Sequence, residues 1–367
     1  MGCDFTALAN LGIRALSPYQ AGKPVEELER ELGISNIVKL ASNENPLGLA
    51  ASVQQALTAE LSGLTRYPDA NGFYLKQALA ERFGVDEAQL TLGNGSNDLL
   101  ELIARVFVSV QDEVIYAEHA FIVYPLVVQA LNAKAVVVPA SEWGHDLTAM
   151  AAAITERTKL IFIANPNNPT GTFLSAEALD AFLQQVPAHV MVVLDEAYTE
   201  YVEPSLRSPS FAWVNRFPNL VVCRTFSKAY GLAGLRVGYS VSDPLVAGLL
   251  NRLRQPFNCN TLALLAAQTV LDDAEYLAAA VETNRRGMVQ LTEYCQARGL
   301  AYIPSSGNFL TIDMGRPAGP VYQQLLARGV IVRPIAGYGM PDHLRVSIGL
   351  AQENQRFMDA LDEVLFR

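Results

Sequence analysis

The sequence is poor in the residues that staple, chelate or anchor. Its four cysteines, Cys3, Cys223, Cys259 and Cys295, lie far apart without paired metal-ligand spacing. That excludes a disulfide framework and a cysteine-pair metal site, and points to reduced thiols. Charge is sparse at 17% and of the wrong sign for nucleic acid, with 27 Lys and Arg against 37 Asp and Glu, a net charge of -10. A basic binding face is therefore excluded, although an anionic substrate held by local arginines is not. No apolar run is long enough to span a bilayer, and no charged segment with an apolar stretch behind it opens the chain. A soluble, cytoplasmic protein without membrane or nucleic-acid partners is the expectation. Internal repeats and low-complexity segments are missing too.

What is present is apolar. Half of the 367 residues are hydrophobic, enough chain for two domains that each bury a core. Residues 1–36 read as an arm, with turn chemistry at Ser17-Pro18-Tyr19-Gln20 and a short helix from Val25 to Leu32. Such an arm has little core of its own and is expected to pack on the smaller domain or on a second subunit. Ile37–Leu40 reads as a strand, and a helix follows from about Ala50 to Leu61.

From Leu90 short apolar runs recur at Leu90–Leu92, Val114–Ala117, Ala135–Val138, Leu160–Ala164, Met191–Leu194, Leu220–Arg224 and Val237–Val241, most of them separated by stretches of helical period. Strands alternating with helices predict an α/β fold, a mostly parallel seven-stranded sheet covered on both faces. Residues 37–256 are assigned to this large domain and 257–367 to a smaller α+β domain. The latter is expected to begin with one long helical region from Pro256 to about Arg298. Strands at Asn308–Ile312, Gly329–Arg333 and Leu344–Ile348 should follow.

In open parallel sheets ligands gather at the carboxyl ends of the strands. The polar clusters fall there: Gly93-Asn94-Gly95-Ser96-Asn97-Asp98, Asn165-Pro166-Asn167-Asn168-Pro169-Thr170-Gly171, Asp195-Glu196-Ala197-Tyr198 and Thr225-Phe226-Ser227-Lys228 each follow a run. Lysine forms Schiff bases where its surroundings favour the neutral amine. Hydroxyls and a fixed guanidinium suit a phosphate dianion. Lys228 with Thr225, Ser227 and Arg236 thus reads as the anchor of an aldehyde carrying a phosphate, and pyridoxal 5'-phosphate is the common cofactor of that kind.

The other clusters fit the same ligand. Gly95, Ser96 and Asn97 open a helix, where free N–H groups and the helix dipole favour an anion; an ordinary helix cap at Ser96 or Asn97 is the plain alternative. Asp195 ends an apolar strand, where a buried carboxylate needs a positive partner such as a protonated pyridine nitrogen, or else is a helix cap. Asn168 and Tyr198 have hydrogen bonds to offer a phenolate oxygen, and Phe121 has a face to stack on a ring.

Together, Asn-Pro-x-Asn-Pro-Thr-Gly at 165–171, Asp-x-Ala-Tyr at 195–198, Thr-Phe-Ser-Lys at 225–228 with an arginine eight positions on, and Leu-Arg-Val-Ser-Ile-Gly at 344–349 resemble the fold-type-I pyridoxal-phosphate-dependent aminotransferases. Leu16-Ser17-Pro18-Tyr19, Leu40 to Gly48, Arg66-Tyr67-Pro68-Asp69 and Gly93 to Asp98 look most like the histidinol-phosphate aminotransferase branch, of class II.

The resemblance implies Lys228 as Schiff-base lysine, Asp195 on the pyridine nitrogen, Asn168 and Tyr198 on the ring oxygen, and Phe121 stacking. It assigns the phosphate to Gly95, Ser96, Asn97, Thr225, Ser227 and Arg236, with Tyr67 reaching across from the second subunit of a homodimer. Arg345 would grip the α-carboxylate of glutamate, and Tyr19, Asn43 and Arg333 would help receive the substrates. The implied reaction interconverts L-histidinol phosphate and 2-oxoglutarate with imidazole-acetol phosphate and L-glutamate in ping-pong order, with no metal. Phe257 and Phe121 depart from the pattern, standing where other members carry tyrosine. The Phe257 position, where the resemblance implies a tyrosine touching substrate phosphate, leaves an aminotransferase for phenylalanine or tyrosine as the nearest alternative. A phosphothreonine-type decarboxylase and a non-catalytic ligand-sensing module stand further off, the last because the chain has no room for a basic helix-turn-helix segment.

Overall fold

The structure, a computed structural model, describes residues 2–18 and 22–366. Its centre is a seven-stranded sheet of β2 (Leu90–Gly93), β3 (Glu113–Ala117), β4 (Lys134–Val138), β5 (Thr158–Ala164), β6 (Met191–Asp195), β7 (Leu220–Thr225) and β8 (Gly238–Ser242), in the order β2-β8-β7-β6-β5-β3-β4. The short β1 (Val38–Lys39) lies outside it. Side chains alternate between the faces. Ile161 and Ile163 of β5 enter one core with Val192, Leu194 and Val222, while Leu160 and Phe162 enter the other with Val193, Val221 and Cys223.

All ladders are parallel except those of β8, which runs antiparallel to both β2 and β7. A parallel neighbour needs a crossover long enough to hold a helix. Between β7 and β8 the chain has only residues 226–237, with one 3₁₀ turn at Ala233–Leu235, so it doubles back. That short return carries Lys228 and Arg236. Strand order reverses between β3 and β5, and the crevice formed there is where the site lies.

The remaining strands are β9 (Tyr302–Ile303), β10 (Phe309–Asp313), β11 (Val330–Ile331), β12 (Arg333–Pro334) and β13 (His343–Ser347). A four-stranded sheet has the order β12-β13-β10-β9, and β11 pairs in parallel with β1. Three expectations need correction here. The run Gly329–Arg333 is two strands in two sheets: Val330–Ile331 pairs with β1, and past Val332 the chain changes partner, Arg333 and Pro334 forming the edge strand β12 beside β13. The helical region after Pro256 is broken into Thr261–Leu271 and Ala274–Arg298, since the Asp273 carboxylate accepts from the N–H of Tyr276 and caps a new helix. β9 was not foreseen; two residues are too few for a periodic signal.

The arm holds two four-residue helices, Phe5–Leu8 and Leu11–Arg14, before the helix Val25–Leu32. Gly12 lies so close to the helix Val123–Ala130 that a Cβ there would meet the Gln129 carbonyl oxygen at 1.9 Å. Leu28 packs with Ala41, Leu326 and Ile331. All four cysteines are free; Cys3 is exposed and the others are buried. Among the described residues no helix is long and apolar enough to cross a membrane, and no cluster of acidic, histidine and cysteine side chains is arranged to hold a metal.

Candidate active site

A cavity of about 190 Å³ sits over the carboxyl ends of β5, β6 and β7 and is closed by residues from the β1 and β13 segments. Ser96, Asn97, Phe121, Asn168, Asp195, Tyr198, Thr225, Ser227, Lys228, Arg236, Asn43, Arg333 and Arg345 all line it. Phe121, Asn168, Asp195, Tyr198, Thr225, Ser227 and Lys228 stand at strand ends or in the segments that follow them, Ser96 and Asn97 open the helix after β2, Asn43 lies in the loop after β1, and Arg345 is the central residue of β13. Arg333 and Tyr338 line both this cavity and a wider cleft beside it.

Lys228 is partly buried, and its ammonium donates to the Ser42 carbonyl at 3.1 Å. Desolvation, then the positive charge of Arg345, lower its pKa to about 7. The amine thus titrates at neutral pH, where a nucleophile and base has to work. Asp195 is buried at the end of β6, and burial raises its pKa to about 6. Its Oδ2 accepts from the hydroxyl of Tyr124 at 2.9 Å, while Oδ1 has no partner. A buried carboxylate oxygen without a donor is costly, and a protonated ring nitrogen would satisfy it.

The other polar groups are aligned by the lobe built on β10 and β13. Arg345 donates through Nη1 to Asn168 Oδ1 at 2.5 Å and through Nη2 to the Ala41 carbonyl at 2.8 Å, and its buried Nε is unpartnered. With its oxygen taken by the guanidinium, Asn168 turns its amide N–H groups elsewhere. Asn43 donates to the Tyr198 hydroxyl at 2.9 Å and is fixed by Ser347 at 2.8 and 3.0 Å and by Asn308 at 3.0 Å. Burial pushes Tyr198 up to about 12, so its hydroxyl keeps a proton to donate.

At the other end of the cavity the turn between β2 and the helix Ser96–Phe107 forms an anion cradle. Arg236 adopts a left-handed backbone and bonds Ser227 Oγ and the Ala233 carbonyl, each at 3.0 Å; the Ser227 N–H donates to Thr225 Oγ1 at 3.1 Å. Gly95 has φ +82°, and a Cβ there would stand 2.2 Å from Arg236 Nη2. Only a glycine lets the guanidinium approach the helix start. An amine, an unpaired buried carboxylate oxygen, a ring face at Phe121 and this cradle are the donor set that pyridoxal phosphate requires, and the residues fit it.

One expected residue, Tyr67, is elsewhere. Tyr67 is 82% exposed and stacks on Phe257 at 4.6 Å and 18°, outside the cavity. Tyr19 lies outside the described residues. The sequence reading missed Ser42 and Tyr338, both of which line the cavity, and Tyr124, which stands behind it. Tyr124 follows Phe121 by three residues, the spacing that brings side chains together on a helical turn, but nothing in its identity betrays the carboxylate it meets.

The profile of the family described as Aminotransferase class I and II matches residues 35–361. The chain belongs to that family. It is 62% identical to histidinol-phosphate aminotransferase 2 of Pasteurella multocida, over 99% of each chain. Histidinol-phosphate aminotransferase 2 of Pseudomonas aeruginosa is 59% identical, again over 99% of each. Among solved structures, histidinol-phosphate aminotransferase from Sinorhizobium meliloti, crystallised with pyridoxal-5'-phosphate, superposes with a TM-score of 0.90 at 30% identity, covering 96% of both chains. Family and structure agree with the expected α/β fold, a large, mostly parallel sheet with helices on both faces, as in fold-type-I aminotransferases.

Proposed function

We propose that the chain is a pyridoxal-phosphate-dependent aminotransferase of histidine biosynthesis, interconverting L-histidinol phosphate and 2-oxoglutarate with imidazole-acetol phosphate and L-glutamate. One observation carries the chemistry: the amine of Lys228, lowered to about 7, shares a cavity with the unpartnered Oδ1 of Asp195 and with Arg333 and Arg345. Full-length relatives at 59–62% identity carry the substrate assignment.

When bound, pyridoxal phosphate supplies an aldehyde that exchanges amines and a ring that accepts the electrons left when the substrate α-carbon loses its proton. Lys228 holds the amine for the first task, then acts as general base and moves that proton. Asp195 pairs with the ring nitrogen; the Tyr198 hydroxyl and the Asn168 amide donate to the ring oxygen; Phe121 covers one face. Gly95, Ser96, Asn97, Thr225, Ser227 and Arg236 hold the phosphate. Arg345 receives the α-carboxylate by forked hydrogen bonds, and Arg333 with Asn43 and Tyr19 accommodates the rest of either substrate, carboxylate or phosphate ester.

The working unit in this reading is a cytoplasmic homodimer, each subunit comprising an arm (1–36), a large domain (37–256) and a small domain (257–367). Tyr67 completes the partner's site; its exposure and its distance from its own cavity support that role. The reading is tested by kcat/KM with 2-oxoglutarate as acceptor. Histidinol phosphate should exceed phenylalanine by about 100-fold or more, the scale expected when buried polar groups are left unmatched by the wrong substrate. Equal values would instead favour the aromatic aminotransferase.

A further inference from the structure

We propose that Tyr124 is a positioning residue of the cofactor site: its hydroxyl pins Asp195 Oδ2 so that Oδ1 alone faces the cavity, and its ring backs Phe121. The proposal rests on the cofactor reading above. It goes beyond that reading, which uses Asp195 and Phe121 but explains neither one's orientation.

The geometry is specific. Tyr124 lies in the first turn of the helix Val123–Ala130 and is wholly buried. Its ring stacks on Phe162 of β5 at 4.4 Å and 2°, which leaves the hydroxyl one direction to point. That direction ends on Asp195 Oδ2 at 2.9 Å. The same ring meets Phe121 in a T-shaped contact at 5.9 Å and 87°. One side chain thus touches both groups that would contact the cofactor ring, the carboxylate at its nitrogen and the aromatic on its face.

The chemistry needs such a support. A carboxylate at a buried strand end can protonate or rotate to gain a donor, and either change removes the partner of the ring nitrogen. Burial drives Asp195 toward protonation, and the phenol opposes it by donating to the ionised form, as does the N–H of Ala197. Tyr124 itself stays protonated, because burial and the adjacent carboxylate raise its pKa well above its usual value. The phenol is therefore a permanent donor, and Oδ1 is the oxygen left for the ligand.

Tyr124→Phe keeps both ring contacts and removes only the hydroxyl. The experiment titrates cofactor-free wild type and Tyr124→Phe with two probes: pyridoxal phosphate, and its carbocyclic analogue in which C–H replaces the ring nitrogen. Binding is followed by absorbance, and melting of the cofactor-free proteins by circular dichroism. Expected is a Kd for pyridoxal phosphate about tenfold higher in the variant, the scale of one hydrogen bond to a charged group, with less than a twofold change for the analogue. In an Asp195→Asn background, the same substitution should add no further loss. An equal loss on both probes, or none on either, would overturn the proposal and leave Tyr124 a packing residue. Wild type that binds neither probe would instead overturn the cofactor reading.

Discussion

At the scale of single residues, environment decides chemistry. In the unfolded chain Lys228 has its ordinary value of 10.5, and in the folded protein desolvation and Arg345 bring it to about 7. Between those values the unfolded chain holds one more proton, so stability rises with pH across that window. Lys228→Met should therefore stabilise the cofactor-free protein most below pH 7, and its advantage in Tm should shrink toward pH 10.5. An advantage that stays flat from pH 6 to 10 would contradict the depressed amine. The same variant should lose transamination by about 10⁴-fold or more in kcat, the upper scale for removing a general base. Arg345→Lys exchanges a fork that spans Asn168 and Ala41 for a point charge. It should raise the KM for glutamate by about ten- to a hundredfold, measured in initial-rate kinetics.

At the scale of elements, the turn between β2 and the helix Ser96–Phe107 and the return from β7 to β8 meet through Gly95 and Arg236. Gly95→Ala imposes a strained φ and drives a methyl into the guanidinium. Strain of about 1–3 kcal/mol at such a position corresponds to roughly 5- to 150-fold in the Kd for pyridoxal phosphate, read by titration of the cofactor-free protein. Strand positions in the sheet were legible because three- to five-residue apolar runs alternate with helical stretches, a pattern set by burial on both faces. The antiparallel direction of β8 was not, although the shortness of residues 226–237 held the clue. The two-residue β9 carries too little pattern to be seen and exists only because β10 lies beside it.

At the scale of the whole molecule, the proposed dimer predicts complementation. A subunit carrying Tyr67→Ala keeps Lys228, and one carrying Lys228→Ala keeps Tyr67, so a mixed dimer assembles one intact site. Unfolding and refolding the two variants in equal amounts should recover about a quarter of wild-type activity, the statistical share of intact sites in a two-fold assembly. Recovery no greater than the sum of the separate variants would place Tyr67 outside the partner's site.

The sequence by itself determined the local alphabet of this protein: which runs are strands, which loops follow them, and that lysine, aspartate, glycine-rich turn and arginine fall where a parallel sheet gathers its ligands. These follow from side-chain chemistry and from periodicities of a few residues. The tertiary structure alone decided the contacts between distant segments. It set Arg345 against Asn168, Asn43 against Tyr198, and the Tyr124 hydroxyl against Asp195, 71 residues away. Such pairings arise from packing whole elements together, and so does the desolvation that turns an ordinary lysine into an amine poised near neutrality.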